Sequence, residues 1–274
     1  MSVDVLDFQF LQSFLRQRCA IVLGDDKHYL VEARLSPIAR DLGLDTAGEV
    51  VRTLRARKDV GLEDRVVEAM TTNETSWFRD LQPFEAIRAE VIPEILDRNR
   101  PARHLAVWSA AASTGQELYS LALMLDQHFP ELAGWRVELV GTDLNSAVLE
   151  KARAGRFSGL EINRGLPAAL IARYFTREGA HFVVSPEIRS RVRFEKMNLA
   201  GPWVGLPKFD LVLLRNVLIY FDAEDKRRIL EKALAQLNPG GYLLLGAAES
   251  PYGLLRGVTS VSILGTTFYR TEVA

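Results

Sequence analysis

Cysteine is almost missing from this chain: Cys19 stands alone in 274 residues, so no internal disulfide can form and an oxidising compartment is not called for. Helix packing is the expected role of that thiol, and a cytoplasmic location is expected for the chain. Histidine is nearly as scarce. His28, His104, His128 and His181 show no ligand spacing with one another or with Cys19, so no metal site is expected. An excess of one charge is also lacking, with 34 basic residues against 35 acidic. No global field therefore favours nucleic acid or an anionic membrane, and a charged partner must be met by a local patch. No apolar run approaches the roughly 18–20 residues that span a bilayer. The N-terminus carries Asp4 and Asp7 and no basic start, unlike a signal peptide.

What is present is ordinary globular composition, 48% hydrophobic and 25% charged, in a chain long enough for one large domain and one small one. Residues 1–70 read as a small helical domain. Leu11, Phe14, Leu15, Cys19 and Val22 make one apolar stripe, and Val31, Leu35, Ile38 and Leu42 a second that ends at Gly43. Thr46 and Glu49 have capping-box spacing before Val50, Val51 and Leu54, and Val66, Val67 and Met70 finish a fourth helix. Basic residues, Arg34 and Arg40 among them, outnumber acids between Arg16 and Lys58. They form either a solvated helix surface or a docking face for an acidic helical partner.

Residues 71–84 read as an interdomain linker. Its polar run Thr71–Asp80 embeds Trp77 and Phe78, and Asn73, Thr75 and Arg79 offer donors and a fixed cation at a junction where ligand clefts form. Residues 85–274 read as an α/β domain. A further amphipathic helix carries Phe84, Ile87, Val91 and Ile95. Leu105–Ser120 then reads as strand, tight turn and helix, with Ala110, Ala112 and Gly115 in the slots of a dinucleotide-type glycine motif. Small residues there let a ligand approach the backbone, although close packing alone also selects them. Trp135–Asp143 reads as a second strand. The acid at its end is either a partner for ribose hydroxyls or the N-cap of a helix over 147–154.

Residues 155–190 look like an inserted subdomain, with a helix over 166–175 and a short strand at 181–184. Arg191–Met197 reads as a core strand ending at Asn198-Leu199. Phe209–Asn216 is the best buried-strand signal in the chain, five apolar residues within eight, running into Arg215-Asn216 at its carboxyl end. Because ligands sit beyond the carboxyl ends of such strands, Asp143, Asn198 and Asn216 are expected to share a crevice with the Ala/Gly turn. A helix over 225–237, the turn Asn238–Gly241, a strand over 242–246 and a terminal hairpin complete the chain. That hairpin suits the methyltransferase version of the fold and not the repeated units of a dehydrogenase.

Several motifs together resemble the chemotaxis receptor glutamate O-methyltransferases, the CheR family. They are TTNETSWFRD at 71–80, WSAAASTGQELYS at 108–120, GTDLN at 141–145, RYF at 173–175, MNL at 197–199, FDLVLLRNVLIYFD at 209–222 and LNPGGYLLLGAAES at 237–250. The likeness spans nearly the whole chain in order. It implies a Rossmann-like class I fold using S-adenosylmethionine, with a small all-α N-terminal domain and an inserted antiparallel β-subdomain. It further implies that Asn73, Thr75 and Arg79 reach the cofactor from the linker and that Ala110, Ala111 and Gly115 approach it by backbone. Glu117, Asp143, Asn198, Leu199, Arg215 and Asn216 complete the pocket, and Tyr220 lies near the methyl group. Arg34 and Arg40 then face a glutamate-bearing helix of the chemoreceptor's cytoplasmic domain. The chain departs from the family at Ala112, Gln116 and Leu118, where Cys, Glu and Pro are frequent. Its segment between Phe175 and Pro186 looks shorter than in members that grip a peptide at the receptor's C-terminus, so recruitment without that tether is expected.

The implied reaction is attack of a glutamate carboxylate on a sulfonium methyl, yielding a methyl ester and S-adenosylhomocysteine. A glutamate of pKa about 4.3 is already ionised at neutral pH and needs no general base. Arg79 is expected to orient a carboxylate and Tyr220 the substrate. Two rivals stand beside this reading, one from a different class and one within enzymes. A signalling scaffold without catalysis would have no need of Glu117, Asp143 and Tyr220. A methyltransferase of another protein or a small molecule is the other rival; amino-group methylation would favour prolines after the fourth strand, which Arg215–Leu218 lacks.

Overall fold

The computed structural model describes residues 3–271. Four helices come first: α1 (Val5–Cys19), α2 (His28–Asp41), α3 (Ala47–Ala56) and α4 (Val60–Met70). Three of them begin at a side-chain cap. Asp4 accepts from the Asp7 N–H, Asp59 from Gly61 and Leu62, and Thr46 with Glu49 forms a full capping box. Leu11, Leu15, Val31, Leu35, Val50, Val51 and Val66 are fully buried where the four apolar stripes meet. Val22, placed by spacing on the first stripe, lies beyond the end of α1 and is 48% exposed.

The linker leads into α5 (Gln82–Ala86), a π turn (Ile87–Val91) and α6 (Ile92–Arg98), one continuous apolar face with a widened middle. Pro93, which cannot donate a backbone bond, stands two residues past that π turn, in the first turn of α6. Next come β1 (His104–Ala110), α7 (Gln116–His128), β2 (Arg136–Asp143) and α8 (Ser146–Ala154). A separate antiparallel sheet in the order β3-β5-β4 then interrupts the main one. It comprises β3 (Arg156–Ser158), β4 (Phe175–Glu178) and β5 (His181–Val184), with α9 (Gly159–Ile162) and α10 (Ala168–Tyr174) between the first two and α11 (Pro186–Arg189) after. The chain closes with β6 (Val192–Lys196), β7 (Phe209–Leu214), α12 (Ala223–Ala235), β8 (Leu237–Leu245), β9 (Val258–Ile263) and β10 (Thr266–Thr271).

The main sheet has the order β6-β2-β1-β7-β8-β10-β9. Strands β6, β2, β1, β7 and β8 are parallel, and β10 joins β8 and β9 antiparallel. Successive residues feed opposite cores, as a period-2 element covered on both faces must. Leu105, Val107, Leu139, Leu211 and Leu213 meet α6, α7 and α8, whereas Ala106, Trp108, Val140, Val212 and Leu214 meet α12. Order reverses between β1 and β7, so the carboxyl ends of β2, β1 and β7 open onto one crevice.

Three sequence expectations shift. Strand β6 is an edge and not a core strand: only Phe194 of its five residues is buried. The Asn238–Gly241 stretch lies within β8, absorbed by a register slip opposite Phe209–Leu211. The N-cap of α8 is Asn145, whose side chain accepts from Ala147 and Val148, which frees Asp143 for other contacts.

Candidate active site

The crevice is a cleft of about 980 Å³, open mouth included, walled by the sheet on one side and by α1, α4 and the linker on the other. Its floor is the β1–α7 turn. Ala111, Ser113 and Gly115 all take left-handed backbone conformations (φ 64°, 51° and 91°). For the two non-glycines this costs roughly 1–2 kcal/mol each, a strain that gathers where backbone must be presented to a ligand. Long-range contacts hold it. The Ala112 N–H reaches the Thr142 carbonyl at 2.8 Å, and a Cβ on Gly115 would stand 2.9 Å from the Phe194 ring. Asp143 closes the turn from β2, accepting the Ser113 N–H at 2.8 Å and the Asn145 N–H at 2.9 Å. Burial raises its pKa above the ordinary carboxylate value, against the pull of those N–H groups, and the nearby charge of Glu68 adds to the rise.

The linker crosses this floor as a strap. Ser113 Oγ donates to the Asn73 carbonyl at 2.8 Å. Trp77 anchors the strap, 1% exposed against Phe157, Phe175 and Tyr119. Phe78, Asp80 and Leu81 all have positive φ. Arg215 explains how that bend is kept. Its side chain, 2% exposed, donates to Glu117 at 2.9 Å, to Asp80 at 2.7 Å and to the Arg79 carbonyl at 3.0 Å. Glu117 in turn accepts from Ser109 Oγ at 2.8 Å. A carboxylate and a guanidinium are thus paired beneath the cleft, as buried charges must be, with Arg79 carried above them.

After β7 the backbone turns left-handed at Asn216 (φ 58°). Glu249, 9% exposed, clamps this corner by accepting the N–H groups of Asn216 and Gly246 at 2.8 Å and of Leu218 at 2.7 Å. The short 3-10 turn Leu218–Tyr220 follows, and its Tyr220 carbonyl accepts the Val22 N–H at 2.9 Å. On the opposite wall Asn198 donates to the Arg18 carbonyl at 2.7 Å. Both contacts dock the helical domain onto the sheet's carboxyl edge.

Asn73, Thr75, Arg79, Ala111, Glu117, Asp143, Asn198, Leu199, Arg215, Asn216 and Tyr220 all line this one cleft. Ala110, 1% exposed at the end of β1, and Gly115, packed on Phe194, stand behind its wall. Arg34 and Arg40 part company. Arg34 donates to the Met70 carbonyl at 2.6 Å and to Thr72 Oγ1 at 2.8 Å, tying α2 to the strap. Burial lowers its pKa, opposed by the nearby Tyr220 and Tyr29. Arg40 is exposed on the same helix. Sequence reasoning missed Glu249, whose partners lie up to 33 residues away. It also missed Cys19, Ile21 and Met70 as cleft walls; the apolar spacing of Cys19 and Met70 signalled burial without saying against what.

The cleft fits S-adenosylmethionine by the chemistry of its donors. Small side chains floor it, and Leu144, Met197 and Val217 give apolar walls for a base. Asp143 retains acceptor capacity for ribose hydroxyls, a carboxylate having about four lone-pair sites. Glu117 and Arg79 suit the ammonium and carboxylate of an amino acid.

Comparison with known proteins agrees with that fit. Residues 73–258 match the family described as CheR methyltransferase, SAM binding domain, and residues 6–71 its all-alpha domain. The chain is 44% identical to the chemotaxis protein methyltransferase Cher2 of Pseudomonas putida, over 93% of this chain and 94% of that one. It is equally close to chemotaxis protein methyltransferase 1 of Pseudomonas aeruginosa, 44% over 91% and 92%. The chemotaxis protein methyltransferase of Vibrio parahaemolyticus is 39% identical over 93% and 92%.

Proposed function

Because this chain belongs to the CheR methyltransferase family and carries its S-adenosylmethionine-binding domain, we propose that it esterifies glutamate side chains of a chemoreceptor's cytoplasmic helical domain. The observation that carries the glutamate assignment is the state of the cleft's own acids and bases. No histidine or lysine is among the described residues that line it. Glu117 is engaged by Arg215 and Ser109, Glu74 by Arg164, and Asp143 by backbone N–H groups. A nucleophile that must lose a proton finds no free base there, whereas a glutamate arrives ionised.

The cofactor supplies an electrophilic methyl group on a sulfonium. The chain's part is to hold the strap over the floor, excluding water so that anionic nucleophile and cationic donor meet in a medium that favours their mutual neutralisation. Arg79 orients a carboxylate and Tyr220, at the mouth, the incoming side chain. Arg40 and the basic face around it steer an acidic receptor helix toward that mouth, in the cytoplasm. The β4–β5 connection is only Gly179-Ala180, which supports recruitment without a C-terminal peptide tether.

The test is transfer of tritiated methyl from S-adenosylmethionine to a receptor cytoplasmic fragment, followed by mild alkali. A methyl ester releases volatile labelled methanol. Label that resists alkali, or that never reaches the receptor, overturns the assignment.

A further inference from the structure

The loop that presents Asn198 and Leu199 to the cleft has no secondary structure of its own to hold it. Behind it stands α12. Lys232 Nζ donates to the Leu199 carbonyl at 2.7 Å and to the Gly201 carbonyl at 2.8 Å, and lies 4.4 Å from the centre of the Trp203 ring. Trp203 Nε1 donates to the same Leu199 carbonyl at 3.1 Å, and its ring meets Trp108 of β1 edge-on at 4.9 Å. One ammonium therefore gathers three points of the loop, by two charge-assisted hydrogen bonds and a cation–π contact.

We propose that Lys232 is a positioning residue of the cofactor cleft: its ammonium fixes the Asn198–Gly201 loop from behind, and cofactor affinity depends on that charge. The proposal rests on the cleft being the S-adenosylmethionine site. No residue from Asn198 to Trp203 carries a charge that could replace Lys232. The charged groups around it are spoken for. On its own helix Arg228 repels the ammonium, and Asp225 is paired with Arg228. On the packed strand β7 and the residue before it, Asp210 faces Ala106, Arg98 and Asn238, and Lys208 reaches the Ala235 carbonyl. Strand β8 has no ionisable side chain apart from the phenol of Tyr242, which faces Glu94. Burial, followed by the Arg228 charge, brings the Lys232 pKa down from 10.5 to about 8.

Two consequences of opposite sign follow. A neutral amine is a weaker donor to both carbonyls and has no cation–π attraction, so the loop loosens as pH rises through about 8. Global stability moves the other way: between about 8 and 10.5 the unfolded chain binds more protons at this site, so folding gains with pH. Affinity that falls while stability gains marks positioning and not mere structural support.

The probe is S-adenosylhomocysteine binding by titration calorimetry from pH 6.5 to 9 on the full chain, since the ligand's own amino group titrates identically for every variant. Wild type is expected to weaken several-fold more over that range than Lys232→Arg, whose permanent charge can serve both carbonyls and holds affinity near the wild-type value at pH 7. Lys232→Met is expected to bind about tenfold more weakly at pH 7, the order of one charged hydrogen bond, without the extra alkaline loss. Thermal melts establish that both variants fold. A Lys232→Met protein with wild-type affinity, or one weaker but with the wild-type pH profile, overturns the positioning role. Failure of wild type to bind the probe at all overturns the cofactor reading as well.

Discussion

At the scale of single residues, charge type is a poor guide to role until the partners are known. Arg34 and Arg40 lie six apart on α2 and look alike in sequence, yet one guanidinium is spent on the Met70 carbonyl and Thr72 while the other faces solvent. Their substitutions should separate accordingly. Arg34→Ala releases the strap beside Asn73, leaving the Met70 carbonyl short of a charged donor worth roughly 1.5–3 kcal/mol, and is expected to weaken S-adenosylhomocysteine binding. Arg40→Glu should leave that binding intact and slow methyl transfer to the receptor fragment, more so at low salt. Calorimetry paired with transfer assays on both variants checks this; unchanged cofactor affinity in Arg34→Ala would sink the strap assignment. Asp143 and Glu117 were legible beforehand because a recognisable motif surrounds each. Glu249 was not. Its work is done on three backbone N–H groups of a corner after β7 and of the β8 end, and nothing local to its own sequence marks that use.

At the scale of elements, the strand–turn–helix of β1 and α7 and the strap above it form one device. Both depart from relaxed backbone: Ala111 and Ser113 below, Phe78, Asp80 and Leu81 above. Sequence patterning found the turn because small residues ended an apolar strand. It could not find the strain, since alanine and serine are not what a left-handed position selects. The strain yields a prediction. Ala111→Gly relieves roughly 1 kcal/mol of left-handed cost but gives part of it back as unfolded-chain freedom, so melting temperature and cofactor affinity should stay near wild type. Ala111→Val places a β-branched residue where it is a genuine outlier and adds bulk to the cleft floor. Loss of about 2 kcal/mol or more of stability together with loss of S-adenosylhomocysteine binding is expected. Equal melting curves for the valine and glycine variants would show that the turn is free to relax. The two misread elements differ in cause. Strand β6 carries charge at Arg193, Glu195 and Lys196, the pattern of an edge strand that its apolar Val192 and Phe194 masked, whereas Pro239–Gly241 look like a turn because a register slip is not written in local composition.

At the scale of the whole molecule, the cleft exists only while the helical domain sits on the sheet, so cofactor binding and domain docking are linked and each stabilises the other. One side of that docking is a polar clasp. The Glu68 carboxylate accepts the Ser146 N–H at the start of α8 and the Lys196 ammonium, both at 3.0 Å, while its carbonyl accepts from Asn145. Burial opposes ionisation of Glu68, but the Ser146 N–H and Lys196 outweigh it and hold its pKa below 4.5. The sign is therefore that of a depressed acid. Its contribution is complete above about pH 4.5 and is lost as pH falls through the lower folded value. Glu68→Gln keeps an acceptor for Ser146 and forfeits an ion pair whose lysine is 43% exposed, a loss of about 1 kcal/mol or less. Glu68→Ala also leaves the Ser146 N–H without its acceptor, Asn145 still capping Ala147 and Val148, which costs on the order of 1 kcal/mol more. Melting curves between pH 3 and 7 should place wild type, glutamine and alanine in that order at neutral pH and bring wild type toward the glutamine variant as the acid limb is descended. Cofactor affinity should follow the same order, since Asn145 and Asp143 share one turn with the clasp. If the alanine variant loses stability while its cofactor affinity stays at the wild-type value, the two domains are not linked through this clasp, and the strap alone must hold the cleft closed.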